Sequence, residues 1–424
     1  MDFGFGPADE DFRREARAWL EEHLTGEFAA AAGQGGPGSE HERGDVRRAW
    51  ERELGRGGWI GIGWDAEGDG SGQSAGGGGE ASYGARRASL TQQVVWAEEY
   101  ARVRAPARCG HVGENLLAPT LLAYGTREQK DEFLPPIARG EALWCQGYSE
   151  PGAGSDLAGV RTTAVRDENG GGAQGTYRVT GQKIWTSLAH EADWCFVLAR
   201  TEPGSRRHHG LSFLLVPMDQ PGRIDVRPIR QLTGTSEFNE VFFDGARARA
   251  AHIVGGEGNG WRVAMGLLGF ERGVSTLAQQ IGFAQELDRV VREALRAGAA
   301  ADPVLRDRLT RQWADLRVMR WNALRTLGSS GTDVGSPSVA KLLWGGWHQR
   351  LGELAMAVRG TAAAVGPADW SADAPYELDA LQRLFLFSRA DTVYGGSDEI
   401  QRNIIAERVL GLPREAKGPV RGTP

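Results

Sequence analysis

The sequence predicts a mainly α-helical protein with a β-rich domain in the middle of the chain. Apolar residues recur at helical spacing through residues 8–144, strand-like segments follow between 176 and 243, and the helical pattern returns at Asn259. A chain of 424 residues is too long for one ordinary hydrophobic core. We therefore expect a helical domain, a β domain, a C-terminal helical bundle and a tail, at 1–145, 146–258, 259–412 and 413–424 respectively.

The overall composition excludes some classes of protein. The net charge is -6, so the chain lacks the basic excess of a nucleic-acid-binding protein. No apolar run approaches the roughly 18 residues of a membrane-spanning helix. The acidic N-terminus, with Asp2 and Asp9 to Asp11, is unlike a signal peptide. We expect a cytoplasmic protein without a membrane span.

The cysteines and histidines do not indicate a metal site. Cys109, Cys145 and Cys195 are odd in number and lack the spacing of metal ligands, so three reduced, buried thiols are expected. The adjacent pair His208 and His209 lies in a polar loop and is expected to be exposed.

Several helices of the first domain can be placed individually. A Ser-x-x-Gln capping box at Ser89 predicts a helix start, and 114–124 and 128–139 are also predicted to be helical. Because proline removes a backbone donor, the second of these helices is expected to bend or break at Pro135 and Pro136. The first helix is indicated by apolar residues at every fourth position: Phe12, Ala16, Leu20 and Leu24.

Glycine-rich segments at 33–39 and 68–79 interrupt these helices and are predicted to be surface loops. A phosphate-binding role for 68–79 would require a preceding strand, and the sequence indicates none there. Four strands are predicted in the middle domain, at 176–187, 194–200, 211–217 and 236–243. Near the end, 398–409 is predicted to be a helix whose apolar side consists of Ile400, Ile404, Ile405 and Val409.

A glutamate interrupts one apolar helical stripe. Glu271 lies three or four residues from Leu267, Leu268 and Val274. Burying an unpaired carboxylate is costly, so such a residue is usually paired, protonated or functional. From the residues alone, a boundary glutamate paired with an arginine and a functional carboxylate are both possible. The stripe comprises Ala264, Leu267, Leu268, Val274, Ala278 and Ile281.

Residues Gln146–Asp156 form a run of small residues with two hydroxyl groups, at Ser149 and Ser155. Free backbone N–H groups in such a loop suit close approach to a planar or anionic ligand. A turn-rich linker is the alternative reading of this run.

Three segments resemble the signature segments of the acyl-CoA dehydrogenase family, in the same order and spacing: Gln146–Asp156, Gly181–Ser187 and Tyr394–Asn403. We call them the first, second and third signature segments. The resemblance spans roughly residues 8–412. It implies a helical domain, a β-barrel or β-sandwich domain and a C-terminal four-helix bundle, with FAD held between the last two domains.

The resemblance also implies roles for particular residues. In the first signature segment, Tyr148 and Ser149 would lie near the flavin ring edge, and Gly154 and Ser155 would line the junction of flavin and acyl-CoA. In the second, Trp185 would pack near the isoalloxazine, although a core tryptophan is the alternative, and Thr186 and Ser187 would bond its polar atoms. The adenosine part of FAD would contact three residues of the third segment: Ser397, Asp398 and Glu399.

The implied reaction is removal of an α-proton from an acyl thioester while the β-hydrogen leaves as hydride to flavin N5, giving a trans-2-enoyl thioester. Familiar members carry the carboxylate base directly after the tyrosine of the third signature segment, where this chain has Gly395. The Gly395 N–H could still donate to the thioester carbonyl. Members resembling the isovaleryl and long-chain enzymes carry the base before an arginine, as in Phe270-Glu271-Arg272. This match makes Glu271 the expected base, with Phe270 and Arg272 in or near the substrate pocket.

Two segments that hold FAD across subunits in the family are poorly matched here. The first is reduced to Arg296 in 296–300, with Asp307 near an expected glutamine, and the second is represented by 357–361. Either a homo-oligomer holds the pyrophosphate differently, or the chain forms a mixed tetramer with a related subunit.

The sequence leaves three main functions open, besides a flavin monooxygenase on the same fold, which Glu271 does not specifically support. The first is an acyl-CoA dehydrogenase of lipid metabolism that passes electrons to an electron-transferring flavoprotein. The second is a dehydrogenase acting on an acyl carrier protein thioester. The third is a non-catalytic subunit of a mixed complex, which the intact first signature segment and Glu271 oppose.

Overall fold

The computed structural model describes residues 4–64, 83, 86–167, 175–270, 274–327, 335–366 and 378–414, with backbone alone at 274–278 and 327. The glycine-rich segment 68–79 lies outside the described residues. The chain divides into two compact units, Met1–Ile281 and Gly282–Pro424. None of the described helices combines the length and apolar character needed to cross a membrane.

The first unit begins with helices that pack around buried tryptophans. Trp59 and Trp96 stack with ring centroids 4.2 Å apart, and Trp50 is fully buried beside them. The predicted capping box at Ser89 is present and starts the fourth helix. The helices are α1 (Pro7–His23), α2 (Gly26–Ala30), α3 (Gly44–Arg56), α4 (Leu90–Arg102), α5 (Ala118–Tyr124) and α6 (Arg127–Ala138), with a π-helical turn at Gly113–Leu117 before α5.

The expected break at Pro135 and Pro136 is wrong in part, because α6 continues through both prolines to Ala138. The prolines fall in the last turn of the helix, so the two N–H donors that they lack are missing only near its end. There the chain is held by a bond from Arg139 N–H to the Pro135 carbonyl, 3.0 Å long.

The middle of the chain forms one eight-stranded sheet with the order β6-β7-β3-β2-β4-β5-β8, and β1 pairs in parallel with β4. Alternate residues of a strand face opposite sides of a sheet. In β4, Phe196 therefore packs in one core and Val197 in the other. The strands are β1 (Trp144–Gly147), β2 (Thr163–Arg166), β3 (Thr176–Ser187), β4 (Trp194–Arg200), β5 (Leu211–Pro217), β6 (Ile224–Ile229), β7 (Phe238–Arg249) and β8 (Ile253–Val254).

Three of the four predicted strands have their predicted bounds. The fourth begins two residues later than predicted and continues to Arg249. Strands β1, β2, β6 and β8 were not predicted. The three cysteines are free and buried, as expected, and the loop carrying His208 and His209 is exposed.

The remaining helices are α7 (Gly260–Phe270), α8 (Val274–Arg296), α9 (Pro303–Leu327), α10 (Ser336–Arg359), α11 (Ala380–Phe387) and α12 (Asp398–Ile404). The core of the second unit surrounds Phe283, Trp347, Leu351 and Leu354. The predicted helix 398–409 is formed by α12 and a π-helical turn, Ile405–Val409. Its expected apolar side is not buried, however.

The buried position of α12 belongs to Gln401 instead, while Val409 is exposed. The physical reason is that the Gln401 side chain turns inward to hydrogen-bond the backbone of the glycine turn before α12. Its Nε2 donates to the carbonyls of Gly395 and Gly396, at 3.2 and 3.3 Å.

Candidate functional site

The first signature segment is held by a lysine buried beneath it. Lys183 lies on β3 with no exposed side-chain surface. Its Nζ donates to the Tyr148 carbonyl at 3.0 Å, to Glu150 Oε1 at 2.9 Å and to the Leu198 carbonyl at 2.8 Å. An ammonium group has three donors, so all of them are used. One side chain of the second segment thus fixes two residues of the first.

The partner carboxylate is equally well satisfied. Glu150 accepts the N–H of Arg161 at 2.6 Å and the N–H of Thr162 at 2.8 Å in addition to Lys183. Burial raises the pKa of Glu150, but the Lys183 charge and these hydrogen bonds outweigh burial and lower it below its usual value. Burial lowers the pKa of Lys183, and the Glu150 charge opposes that effect. All three contacts of Lys183 Nζ are to acceptors, so the nitrogen carries three protons and pairs with Glu150 as a cation.

A backbone bond and a β-bulge connect the two segments further. The Ile184 N–H donates to the Ser149 carbonyl at 2.9 Å instead of continuing the ladder with β7, whose register shifts between Lys183 and Thr186. Trp185 lies in this bulge with φ of 62°. For a residue with a Cβ atom, this left-handed conformation costs roughly 1–2 kcal/mol. Strain of this kind clusters at functional sites.

The bulge places Trp185 on the surface. Its side chain is 56% exposed and meets Phe238 edge-on, with ring centroids 6.2 Å apart. The alternative that Trp185 is a core residue is therefore excluded.

Thr186, the next residue, is fully buried, and its Oγ1 has no hydrogen-bond partner among the described residues. Its carbonyl accepts from Asn239 Nδ2 at 3.0 Å, and Ser187 beside it is half-buried. Unsatisfied buried hydroxyls are rare in native proteins. An exposed aromatic ring beside a hydroxyl in need of a partner fits a planar ligand with polar ring atoms.

The rest of the first signature segment is a small loop. Glu150 and Ala153 exchange two backbone bonds of 3.1 and 2.9 Å, which leave Gly154 and Ser155 exposed beyond them. The Tyr148 ring is buried against Phe196 and Phe213, at centroid distances of 5.8 and 6.2 Å. Tyr148 therefore anchors the loop, whereas Gly154 and Ser155 can contact a ligand.

The third signature segment lies in the second unit and begins with a glycine turn. Gly395 and Gly396 have φ of 63° and 84°, which a side chain would disfavour. Among the described residues, nothing accepts the Gly395 N–H. Ser397 caps α12 through its side chain, which accepts the Ile400 N–H. A backbone bond and the Ser397 side chain lower the pKa of Glu399 below its usual value.

Two residues from the poorly matched cross-subunit segment, Arg296 and Asp307, form ion pairs within their own helices. Arg296 is 74% exposed and pairs with Glu293, with Nη2–Oε1 at 2.7 Å. Asp307 pairs with Arg311 at 2.8 Å. The resemblance associates the positions of Arg296 and Asp307 with the flavin of a neighbouring subunit, and here both side chains have partners within the chain.

Glu271 and Arg272 lie outside the described residues. Phe270, the last residue of α7, is half-buried, and Val263, Ala264 and Leu267 before it form a fully buried face. The helix leading to Glu271 is therefore packed in an apolar core.

The sequence analysis did not assign a role to Lys183 or Glu150, although Glu150 lies inside the first signature segment and Lys183 inside the second. A signal was available for the lysine. Tyr177 and Val179 are buried positions of β3, and Lys183 lies an even number of residues further along the same strand, at another buried position. A lysine at an inward position of a strand requires a buried partner.

Comparison with known proteins identifies the family of the chain. Residues 6–141, 145–246 and 258–410 match the N-terminal, middle and C-terminal domains of acyl-CoA dehydrogenase. Acyl-CoA dehydrogenase IpdE1 of Mycobacterium tuberculosis is 55% identical over 410 residues, covering 96% of this chain and 99% of that protein.

Two solved structures with this architecture are similar over almost the whole chain. The Tcur3481-Tcur3483 steroid ACAD has a TM-score of 0.77 and 29% identity, covering 98% of this chain and all of that chain (100%). The ChsE4-ChsE5 complex of Mycobacterium tuberculosis has a TM-score of 0.75 and 31% identity, with coverage of 98% and 100%. Together with the domain matches, these similarities show that the chain belongs to the acyl-CoA dehydrogenase family, a family of enzymes whose cofactor is FAD.

Proposed function

We propose that this enzyme converts an acyl-CoA into the trans-2-enoyl thioester, with Glu271 as the base that removes the α-proton. The proposal rests on a sequence observation: the chain has a glycine, Gly395, at the usual position of the base and a glutamate, Glu271, at the alternative position. The position after Tyr394 has no side chain, and the Phe270-Glu271-Arg272 run supplies a carboxylate where the isovaleryl-type and long-chain-type members carry theirs.

Residues of the first unit fit the flavin. The exposed Trp185 ring offers a packing face, Thr186 offers a buried hydroxyl that lacks a partner, and the loop at Gly154 and Ser155 leaves its backbone open. The ion pair of Lys183 with Glu150 would hold these groups in place. Bound FAD supplies the acceptor for the β-hydride.

The chain's own residues would manage the proton and the developing charge. An α-proton next to a thioester is weakly acidic, so its removal requires stabilisation of the carbonyl oxygen as negative charge develops there. The Gly395 N–H, which has no acceptor among the described residues, would be available to that oxygen. In a dry apolar pocket the pKa of a carboxylic acid rises, which strengthens Glu271 as a base. The buried face of α7 supports such a pocket.

Replacing Glu271 by Gln should abolish reduction of the flavin by acyl-CoA, because the amide cannot accept the α-proton, while FAD remains bound. The measurement is anaerobic bleaching of the flavin absorbance in the purified holoenzyme. Glu141→Gln, which changes an exposed carboxylate paired with Arg139, should bleach like the wild type. Normal bleaching by Glu271→Gln would show that another group is the base.

For the acyl group, we propose a bulky, ring-containing acyl-CoA. The similarity to a structure described as a steroid ACAD, over 98% of this chain, supports this class. We expect CoA thioesters of steroid side-chain or ring-derived acids to bleach the flavin at least about tenfold more efficiently than straight-chain thioesters, a difference of about 1.4 kcal/mol in transition-state binding. Equal rates with straight chains would refute this assignment, and faster reduction by acyl carrier protein thioesters would favour the biosynthetic alternative.

For the assembly, we propose a mixed tetramer with a related acyl-CoA dehydrogenase subunit. Two observations support it: the poor match of the segments 296–300 and 357–361 to the family's cross-subunit flavin segments, and the similarity to a complex named for two components, ChsE4 and ChsE5. Helix α9 also exposes Trp313 and Trp321, which are 58% and 47% accessible, with Arg317 over both rings. Exposed aromatic rings and arginine are typical of protein interfaces.

A mixed assembly predicts that the chain purified alone binds less than one FAD per chain and gains FAD when it is expressed with its partner. Native mass spectrometry with flavin absorbance measures both quantities. A stable homotetramer with one FAD per chain would contradict the proposal.

A further inference from the structure

Asp391 is a fully buried carboxylate just before the glycine turn of the third signature segment. Its Oδ2 contacts His348 Nδ1 at 2.5 Å, and its Oδ1 accepts the Tyr394 hydroxyl at 2.7 Å. Its backbone carbonyl accepts the Lys341 ammonium group. Asp391 therefore joins helix α10, which carries His348 and Lys341, to the residue that precedes Gly395.

His348 has a carboxylate at both ring nitrogens. Besides Asp391, its Nε2 contacts Glu286 Oε2 on α8 at 2.8 Å. Carboxylates only accept hydrogen bonds, so both ring nitrogens must carry protons and the imidazole is cationic. Burial lowers the pKa of His348, but the bonds to Asp391 and Glu286 outweigh burial and raise it to about 9.

Two kinds of group surround this histidine among the described residues. The carboxylates of Asp391 and Glu286 contact its ring nitrogens, and aromatic rings pack beside it and beside Lys341. The Phe283 ring lies 4.5 Å from His348, and Lys341 Nζ lies 3.8 Å from the Trp344 ring and 4.8 Å from the Tyr394 ring. A neutral imidazole has one N–H, so removing a proton from His348 would leave one of the two carboxylates without its donor.

The backbone before the turn packs closely against α10. A Cβ atom on Gly345 of α10 would be 3.3 Å from the Asp391 carbonyl oxygen, and one on Gly352 would be 2.8 Å from Ser388 Oγ. The Tyr394 N–H donates to the Ala390 carbonyl at 3.0 Å. The Asp391 side chain bonds both His348 on α10 and Tyr394 at the start of the turn, and so connects the two.

We propose that Asp391, held by cationic His348, is a positioning residue that fixes the Tyr394–Gly396 turn and so aims the Gly395 N–H at the thioester carbonyl. The inference rests on the proposed function, because it assumes that Gly395 serves the thioester. His348 lies between the carboxylates of Asp391 and Glu286, and its proposed role is to hold Asp391 in place.

The pH dependence has a definite sign. Because the pKa of His348 is raised by folding, the interaction is complete below about pH 6.5, the usual pKa of histidine, and is lost as the pH rises through about 9. A carboxylate network that loses its central cation holds the turn less firmly. Flavin reduction should therefore slow on the alkaline side.

The test follows flavin reduction by the preferred acyl-CoA in the holoenzyme from pH 6 to 10, with the dissociation constant of a non-reacting acyl-CoA analogue measured in parallel. We expect the wild-type rate to fall near pH 9. His348→Gln should reduce the flavin at least about tenfold more slowly at pH 7, lose this alkaline limb and bind the analogue more weakly, while retaining FAD.

A milder variant guards against misfolding. Glu286→Gln removes only the half-buried outer carboxylate and should move the alkaline limb to lower pH. His252→Gln is the matched control, because His252 is also buried against a carboxylate, Glu132, at 3.2 Å. This control should leave the limb in place.

The outcomes separate the two proposals. If wild-type flavin is reduced and both His348→Gln and Glu286→Gln match it in rate and pH profile, the positioning role of Asp391 and His348 is wrong and the proposed function stands. If no acyl thioester reduces the wild-type flavin, the proposed function fails and the positioning role fails with it.

Discussion

The ion pair of Lys183 with Glu150 is the interaction on which the geometry of the β domain's ligand-facing edge depends. Burying two charges is costly, and a buried pair is tolerated only when hydrogen bonds satisfy both partners. Here the ammonium group has three acceptors and the carboxylate has three donors. Because those partners come from separate stretches of the chain, satisfying the charges forces the stretches together.

The strained conformation of Trp185 follows from that constraint. With Lys183 drawn inward and Ile184 bonded to Ser149, the chain must bulge before it rejoins β7 at Thr186. The bulge places the Trp185 ring in solvent. The backbone strain and the exposed apolar surface both reduce the stability of the protein. The surrounding bonds sustain both costs, which is the usual arrangement where a protein prepares a surface for a ligand.

A similar principle recurs in the second unit. The turn at Gly395 follows a buried residue, Asp391, whose carboxylate contacts the His348 cation and whose backbone carbonyl accepts the Lys341 ammonium group. In each unit, flexible small residues that face a ligand are anchored by a charge network buried just behind them. Such networks also give the loops a definite orientation, because a slip of the backbone would leave charges unpaired.

Much of the fold followed from the sequence, since periodicity, capping boxes and long β-rich runs report local preferences. Strand β4 could be predicted to its end residues because it is a continuous apolar run, whereas β8 has only two residues and exists through its pairing with β5. The burial of Gln401 in place of the isoleucines of α12 could not be predicted, because it serves a turn that the sequence does not reveal.

The candidate site could be predicted only in part from the sequence. The signature segments identified the family, and the placement of Trp185 at the surface agrees with a ligand contact in place of a core role. The networks centred on Lys183 and Asp391 were missed, because their partners are brought together only by tertiary packing. The role of Glu271 stays a prediction from its position in the sequence.

The most direct test is the dissociation constant of FAD for the Lys183→Met variant. It is measured by flavin fluorescence while FAD is titrated into the apoprotein. Lys130→Met, a half-buried lysine on α6, is the control. The account predicts that Lys183→Met, with Glu150 and two carbonyls left without their cation, binds FAD at least about tenfold more weakly, a loss of about 1.4 kcal/mol or more, while Lys130→Met binds like the wild type. A folded Lys183→Met protein with wild-type affinity for FAD would contradict it.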